Sequence, residues 1–156
     1  MTARPVGAAD KVTGRARYVA DIVLPGMAYA AMVRSTQSHA RIIRIDTAAA
    51  RQMDGVVGVF TAADTVPTLY GRSVVDVPVL AREKVRFVGE RVAAVVAETR
   101  AQAEAAAAQV VIDYEPLPAV HTAEDALRPD APAVHDQPWA YQGAVASPGG
   151  PPNVIY

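Results

Sequence analysis

The chain has 156 residues, of which 51% are hydrophobic and 20% are charged, and its formal net charge is -1. That length suits one domain with its own core, and the balanced charge gives no electrostatic reason to expect a nucleic-acid partner. Because the sequence contains no cysteine, it excludes disulfides, cysteine-ligated zinc and iron–sulfur clusters held by this chain.

The sequence also gives no sign of a membrane association. Residues 1–7 lack an apolar stretch long enough for a signal peptide. No run approaches the roughly 20 apolar residues of a membrane span. We therefore expect a cytoplasmic location, although a partner subunit could carry an export signal.

The first predicted elements are a turn and two strands. The Leu-Pro-Gly sequence at 24–26 has the chemistry of a type II turn, because proline presets the second position and glycine accepts the positive φ of the third. The apolar run 27–33 predicts a strand buried on both faces. Residues 41–46 predict a second strand, with residues 35–40 as the connection.

Short helical turns alternate with strands in the next part of the chain. Thr47 is expected to cap a short helix that ends at the Asp-Gly pair 54–55. Residues 56–60 predict a strand, and the capping-box pattern at 61–64 predicts a single helical turn. Residues 65–85 contain prolines and a glycine, which indicate an irregular excursion with short extended pieces.

The run 85–120 is the most informative part of the sequence. Residues 92–97 predict a short apolar strand. Thr99 begins a Gln-type capping box and precedes strong helix formers at 100–109. The β-branched residues at 110–114 predict a strand. This strand, helix and strand would form a compact crossover unit, right-handed if the two strands are parallel.

The composition changes after a last short helix, which Thr122 is expected to cap. Residues 128–156 contain six prolines and show no period until 153–156. A structureless stretch of this length is unusual inside a compact domain. It is either a flexible tail or an arm along another domain or subunit, and Trp139 and Tyr141 favour the arm. The expected division is a domain at 1–127 followed by an extended arm at 128–156.

Three segments resemble one protein family, in the same order. Residues 12–22 resemble its V-T-G-x-A-x-Y-x-x-D-I opening, and residues 34–46 resemble a turn with a His-Ala pair that leads into an I-x-x-I-D strand. Residues 85–120 resemble its F-V-G-E-x-V-A-x-V-V-A-E-T and V-x-Y-E-x-L-P-A-V signature. The family is the molybdenum hydroxylases: xanthine dehydrogenase, aldehyde oxidase and bacterial carbon monoxide dehydrogenase. One departure is Arg91, where many members have proline.

The resemblance implies an α+β fold, the N-terminal α/β-hammerhead domain of the molybdenum-binding large subunit. That fold has a mixed sheet, one main helix at about 100–109 and short capping helices. In the family, the sequence at 153 begins the strand that leads to the rest of the large subunit. The segments that hold molybdopterin and the catalytic glutamate belong to those later domains, so we assign no catalytic, cofactor-binding or metal-binding residue to this chain.

The implied function is that of a structural and assembly domain, or a split-off subunit, of a molybdopterin-dependent oxidoreductase. Such an enzyme hydroxylates an aldehyde, an N-heterocycle or a related small substrate, or oxidises carbon monoxide. Molybdopterin, 2Fe-2S clusters and often FAD are implied elsewhere in the complex. The implied partners are the remainder of the large subunit, an iron–sulfur subunit and often a flavin subunit, with no nucleic acid and no membrane. The alternative is a stand-alone protein-interaction module on the same fold, using the tail or residues 65–85.

The residues that could carry chemistry favour structural roles. His39, His121 and His135 are far apart and lack close ligand spacing. Glu90 and Glu98 bracket the strand at 92–97, and such a carboxylate pair could perform acid–base catalysis. We expect them instead to be solvated charges at the strand ends. A metal-free hydrolase or lyase that uses these residues is the weakest alternative.

Three further features are expected to carry no function. Asp113 and Glu115 should alternate outward on their strand. The Gly-Gly-Pro sequence at 149–151 should not cradle phosphate, because proline removes the N–H donors that such a loop requires. Hammerhead folds resemble biotinyl and lipoyl carriers, which present a lysine on a tight hairpin. We expect Lys11 not to act in this way, since no strand precedes it.

Overall fold

The computed structural model describes residues 7–145 and 152–154. The strands are β1 (Tyr29–Arg34), β2 (Ala40–Asp46), β3 (Val56–Thr61), β4 (Leu69–Tyr70), β5 (Val77–Pro78), β6 (Lys84–Val85), β7 (Arg91–Ala97) and β8 (Val111–Pro116). The α-helices are α1 (Ala8–Val12), α2 (Ala48–Arg51), α3 (Arg100–Ala107) and α4 (Ala123–Ala126). Short 3-10 turns occupy Val19–Asp21, Ala62–Asp64 and Pro138–Ala140.

The first sheet has the order β1-β7-β3, and both pairings are antiparallel. Helix α3 begins after Thr99, whose Oγ1 accepts a hydrogen bond from the Gln102 N–H at 3.2 Å. The small buried residues Ala103 and Ala106 let α3 approach the sheet closely. One core forms between this sheet and the helices, with Ala50, Val59, Val95 and Ala106 as its buried members.

The second sheet has the order β6-β2-β8 and is also antiparallel. Its inner residues pack on a second core, whose buried members are Ala40, Ala81, Val85 and Val92. Val92 lies on β7, so this strand contributes to both cores. Strands β4 and β5 form a separate two-stranded ladder in the 65–85 excursion.

Several local predictions are confirmed. Gly26 has φ of 73°, and the Met27 N–H donates to the Leu24 carbonyl at 3.1 Å, as a type II turn requires. The Thr61 capping box opens the 3-10 turn that follows it. Thr122 caps α4 by accepting from the Asp125 N–H at 3.1 Å. The expected α+β class with one main helix is also confirmed.

The sheet arrangement differs from the expected mixed sheet. Every strand pairing within residues 7–145 and 152–154 is antiparallel. β7 pairs with β1 on one side and with β3 on the other, so β8 pairs with β2 in the second sheet instead. The segment from β7 through α3 to β8 is therefore a connection between two sheets, and the prediction of a crossover within one sheet is wrong.

Two smaller predictions also fail. β1 alternates between partly buried and exposed residues, so it is not buried on both faces in this chain. Thr47 precedes α2 without a capping bond from its side chain. The neighbouring Asp46 supplies that bond, since its Oδ1 accepts from the Ala48 N–H at 3.0 Å.

The described part of the proline-rich segment contacts the preceding residues. Lys84 donates to Asp136 at 2.7 Å, and Val75 forms an isolated β-bridge with Gln142. Asn153 bridges the segment internally, by accepting from the Val134 N–H at 2.9 Å. As for membranes, none of the helices in the described part of the chain combines the length and the apolar character that a bilayer crossing requires.

Candidate functional site

The side chain of Glu90 closes the loop 86–90 between β6 and β7. Its Oε2 accepts from the Arg86 backbone N–H at 2.6 Å, and its Oε1 accepts from Arg86 Nη1 at 2.6 Å. Glu90 is 6% exposed and the Arg86 side chain 17% exposed. The expectation of a solvated Glu90 is therefore wrong, because the carboxylate braces the loop from within.

The braced loop is also tied to the end of β1. The Ser35 N–H donates to the Glu90 carbonyl at 2.8 Å, and the Gly89 N–H donates to the Ser35 carbonyl at 2.8 Å. Gly89 has φ of 93°, a conformation that favours glycine. The loop consequently presents Phe87 and Val88, both more than half exposed, at its tip.

Three buried polar atoms near this loop lack a hydrogen-bond partner among the described residues: His39 Nε2, Arg86 Nε and Tyr114 Oη. His39 Nδ1 lies 2.6 Å from the Pro118 carbonyl, so Nδ1 carries a proton and donates it to that oxygen. Burial raises the pKa of Tyr114, whose hydroxyl lies near Ser35 without forming a well-aligned bond. None of these three atoms pairs a nucleophile with a base among the described residues.

A groove of about 270 Å³ lies beside the loop and combines an apolar floor with three cations. Arg82 Nη2 donates to the carbonyls of Ala62 at 2.5 Å and Thr65 at 3.2 Å. Lys84 pairs with Asp136, and Arg86 pairs with Glu90. Each of the three cations already bonds an internal acceptor, and the Asp136 carboxylate also lines the groove, which disfavours an anionic cofactor such as molybdopterin. These residues do not fit that group.

The three histidines are not brought together. His39 is buried before β2, His121 is exposed before α4, and the His135 ring is half-buried with its Nδ1 3.0 Å from the Tyr141 hydroxyl. Burial lowers the pKa of His135. Within the described residues, no three His, Cys, Asp or Glu side chains are grouped so that they could hold a metal ion.

The two bracketing glutamates are separated as well. Glu98 is exposed, and it lies at the other end of β7 from Glu90, about 26 Å away at the usual rise of a strand. Such a separation prevents the two carboxylates from acting on one substrate bond. The outward positions of Asp113 and Glu115 match their expected alternation.

The other two candidates are Lys11 and the Gly-Gly-Pro sequence at 149–151. Lys11 is exposed on α1, a single short helix and not a hairpin. The Gly-Gly-Pro sequence at 149–151 lies outside the described residues.

Apolar surface is the most prominent feature that remains. The outer surface of the first sheet, which we call the open face, consists of Ala30, Met32, Gly58, Phe60, Ala94 and Val96. The segment 7–26 adds exposed apolar side chains, and α1 within it has no buried residue. Val12 is 86% exposed and Val19 87% exposed.

Comparison with known proteins gives the relationship. The family model described as aldehyde oxidase and xanthine dehydrogenase, a/b hammerhead domain, matches residues 13–118. One probable xanthine dehydrogenase component from Bacillus subtilis is 42% identical over 135 residues, covering 85% of this chain and 18% of that protein. The xanthine dehydrogenase molybdenum-binding subunit of Escherichia coli is 39% identical over 143 residues, covering 84% of this chain and 19% of that protein.

Solved structures agree with this result. A Cu,Mo-CO dehydrogenase aligns with a TM-score of 0.72 at 43% sequence identity, over 83% of this chain and 17% of that chain. The chain thus spans less than a fifth of the length of each of these three relatives.

Proposed function

The chain belongs to the aldehyde oxidase and xanthine dehydrogenase family, through the a/b hammerhead domain, and we propose that it is a structural and assembly part of a molybdenum-binding large subunit. It would act as one domain of that subunit or as a split-off subunit. The proposed whole enzyme depends on molybdopterin and hydroxylates an aldehyde, an N-heterocycle or a related small substrate, or oxidises carbon monoxide. The observation that carries this proposal is the match of residues 13–118 to the hammerhead domain, together with a relative of which the chain covers only 18%.

The proposed chemistry resides outside this chain. Molybdopterin would be held by other parts of the large subunit, 2Fe-2S clusters by an iron–sulfur subunit, and FAD, in those members that use it, by a flavin subunit. We propose no catalytic, cofactor-binding or metal-binding residue here. The engaged cations Arg82, Lys84 and Arg86 support that assignment. The complex would be cytoplasmic, with no nucleic-acid or membrane partner.

The test is co-expression of this chain with the remaining portion of the large subunit. We expect the two to co-purify, and we expect that portion to gain solubility and molybdenum content relative to its expression alone. Molybdenum can be measured by elemental analysis of the purified material. Failure to co-purify, with no change in solubility or molybdenum content, would contradict an assembly role.

The second candidate is a stand-alone protein-interaction module on the same fold. The groove supports it, because Val66, Leu69 and Leu80 give the groove an apolar lining in the 65–85 excursion. The neighbouring genes distinguish the two candidates. Genes for iron–sulfur and molybdopterin-binding chains beside this one favour the first candidate, and a neighbourhood without them favours the module.

A further inference from the structure

The open face of the first sheet is apolar; Ala30, Met32 and Phe60 are exposed on it, and Gly58, Ala94 and Val96 are partly buried. We infer that it is the docking surface for an uncharged, apolar surface of the remaining large-subunit polypeptide. This inference rests on the proposed function and adds to it the surface through which the chain joins its partner.

The strand register groups the open face into two cross-strand rows. Val96 on β7 lies opposite Ala30 on β1 and Gly58 on β3. The neighbouring row has Ala94 at its centre, opposite Met32 and Phe60. Residues directly opposite in a sheet point to the same side. The two rows therefore form one continuous surface without a polar side chain.

The composition of β7 is that of a strand covered on both sides. Residues 92–97 are all apolar, whereas an antiparallel strand with one face in water normally alternates with polar residues. Val95 packs under α3 in the first core, and Ala93 and Ala97 on the same side of β7 are fully buried. On the opposite side of β7, Val92 is fully buried in the second core. The open face begins at Ala94, the next residue on that side. Met32 and Phe60, on the flanking strands, are each 43% exposed.

The relatives contain a further polypeptide that is available to cover this face. The hammerhead region accounts for 17% of the chain in the matched Cu,Mo-CO dehydrogenase, so more than four-fifths of that chain lies outside it. In such a protein the rest of the large subunit is covalently joined to this domain. It is therefore available at high effective concentration to cover the open face.

The direct test uses the absence of cysteine in the chain, which makes any introduced thiol unique. Met32→Cys and Phe60→Cys place thiols on the open face, and Glu104→Cys places a control thiol on the exposed side of α3. Maleimide labelling rates are measured for the isolated chain and for the complex with the remaining large-subunit portion. We expect the two open-face thiols to be slowed about tenfold or more in the complex and the control to be unchanged.

A charge introduced on the open face provides the second arm. Met32→Asp and Phe60→Asp should reduce the recovered complex about tenfold, while Met32→Leu should retain it. Circular dichroism of each isolated variant checks that the fold is kept. If the complex forms but the Met32→Cys and Phe60→Cys thiols are labelled as fast as in the isolated chain, this inference is overturned. The proposed function then still stands. A self-associated chain that Phe60→Asp converts to monomer overturns it in favour of a second copy. Failure of the wild-type chain to co-purify overturns both proposals.

Discussion

The Glu90 carboxylate holds Arg86 at two points, the backbone N–H and the guanidinium, each at 2.6 Å. Both side chains are largely shielded from solvent. One acidic residue therefore fixes the conformation of the loop and neutralises the cation inside it. The family-like F-V-G-E sequence is accordingly a structural device, since its glycine and glutamate set the geometry in which its phenylalanine and valine are displayed.

Glu90→Gln should lower the free energy of unfolding by about 3 kcal/mol, because removal of one partner leaves a shielded charge uncompensated. Glu98→Gln is the matched control at the exposed end of the same strand, and it should change stability by less than about 0.5 kcal/mol. Urea unfolding of the three proteins measures the difference. Equal effects at the two positions would show that the Arg86 pair does not brace the loop.

Gly89→Ala isolates the backbone contribution to the same loop. A Cβ at this position meets no atom within 4 Å, so the cost is conformational strain alone, about 1 kcal/mol. Gly71→Ala should cost more, because its Cβ would overlap the Val74 carbonyl and the backbone would have to move. Thermal unfolding should rank the two variants in that order. The reverse order would contradict the described geometry of residues 71–74.

Local features of this fold were predictable from sequence, and long-range ones were not. The caps at Thr61 and Thr122 depend on residues within three positions, so their patterns were sufficient. The burial of Glu90 depends on Ser35, which lies far away in sequence and is brought close by the pairing of β1 with β7. The spacing of Arg86 and Glu90, four residues apart around a glycine, was the only available signal. The apolar run at 27–33 predicts a strand buried on both faces, but the described residues cover only one face of β1.

His135 should make stability depend on pH. Burial lowers the folded-state pKa below the ordinary value of 6.5, so in acid the unfolded chain takes up a proton that the folded chain resists. The free energy of unfolding is therefore fully retained above about pH 6.5 and falls as the pH drops from there toward the folded-state pKa. The Lys84 hydrogen bond lowers the pKa of Asp136, so Asp136 affects the free energy of unfolding only in stronger acid.

His135→Gln should flatten this pH dependence between about pH 7.5 and about pH 5.5. His121→Gln is the matched control, because it makes the same substitution at an exposed position before α4. Urea titrations at each pH give the slopes directly. A slope that His135→Gln leaves unchanged would assign the pH dependence to another group.

Trp139 provides the last prediction, on the proposed role of residues 128–156 as an arm along another domain or subunit. It is the only tryptophan in the chain, and it is 42% exposed although the adjacent Pro138 is buried. Its fluorescence in the isolated chain should therefore be red-shifted and readily quenched by acrylamide. Addition of the remaining large-subunit portion should shift the emission to the blue and reduce quenching, because aromatic side chains of this kind bury their rings at interfaces. The partner can contribute tryptophan emission of its own. The Trp139→Phe variant then shows which part of the emission comes from Trp139, because that part is lost. Emission that stays red-shifted in a complex that has formed would show that the arm remains outside the interface.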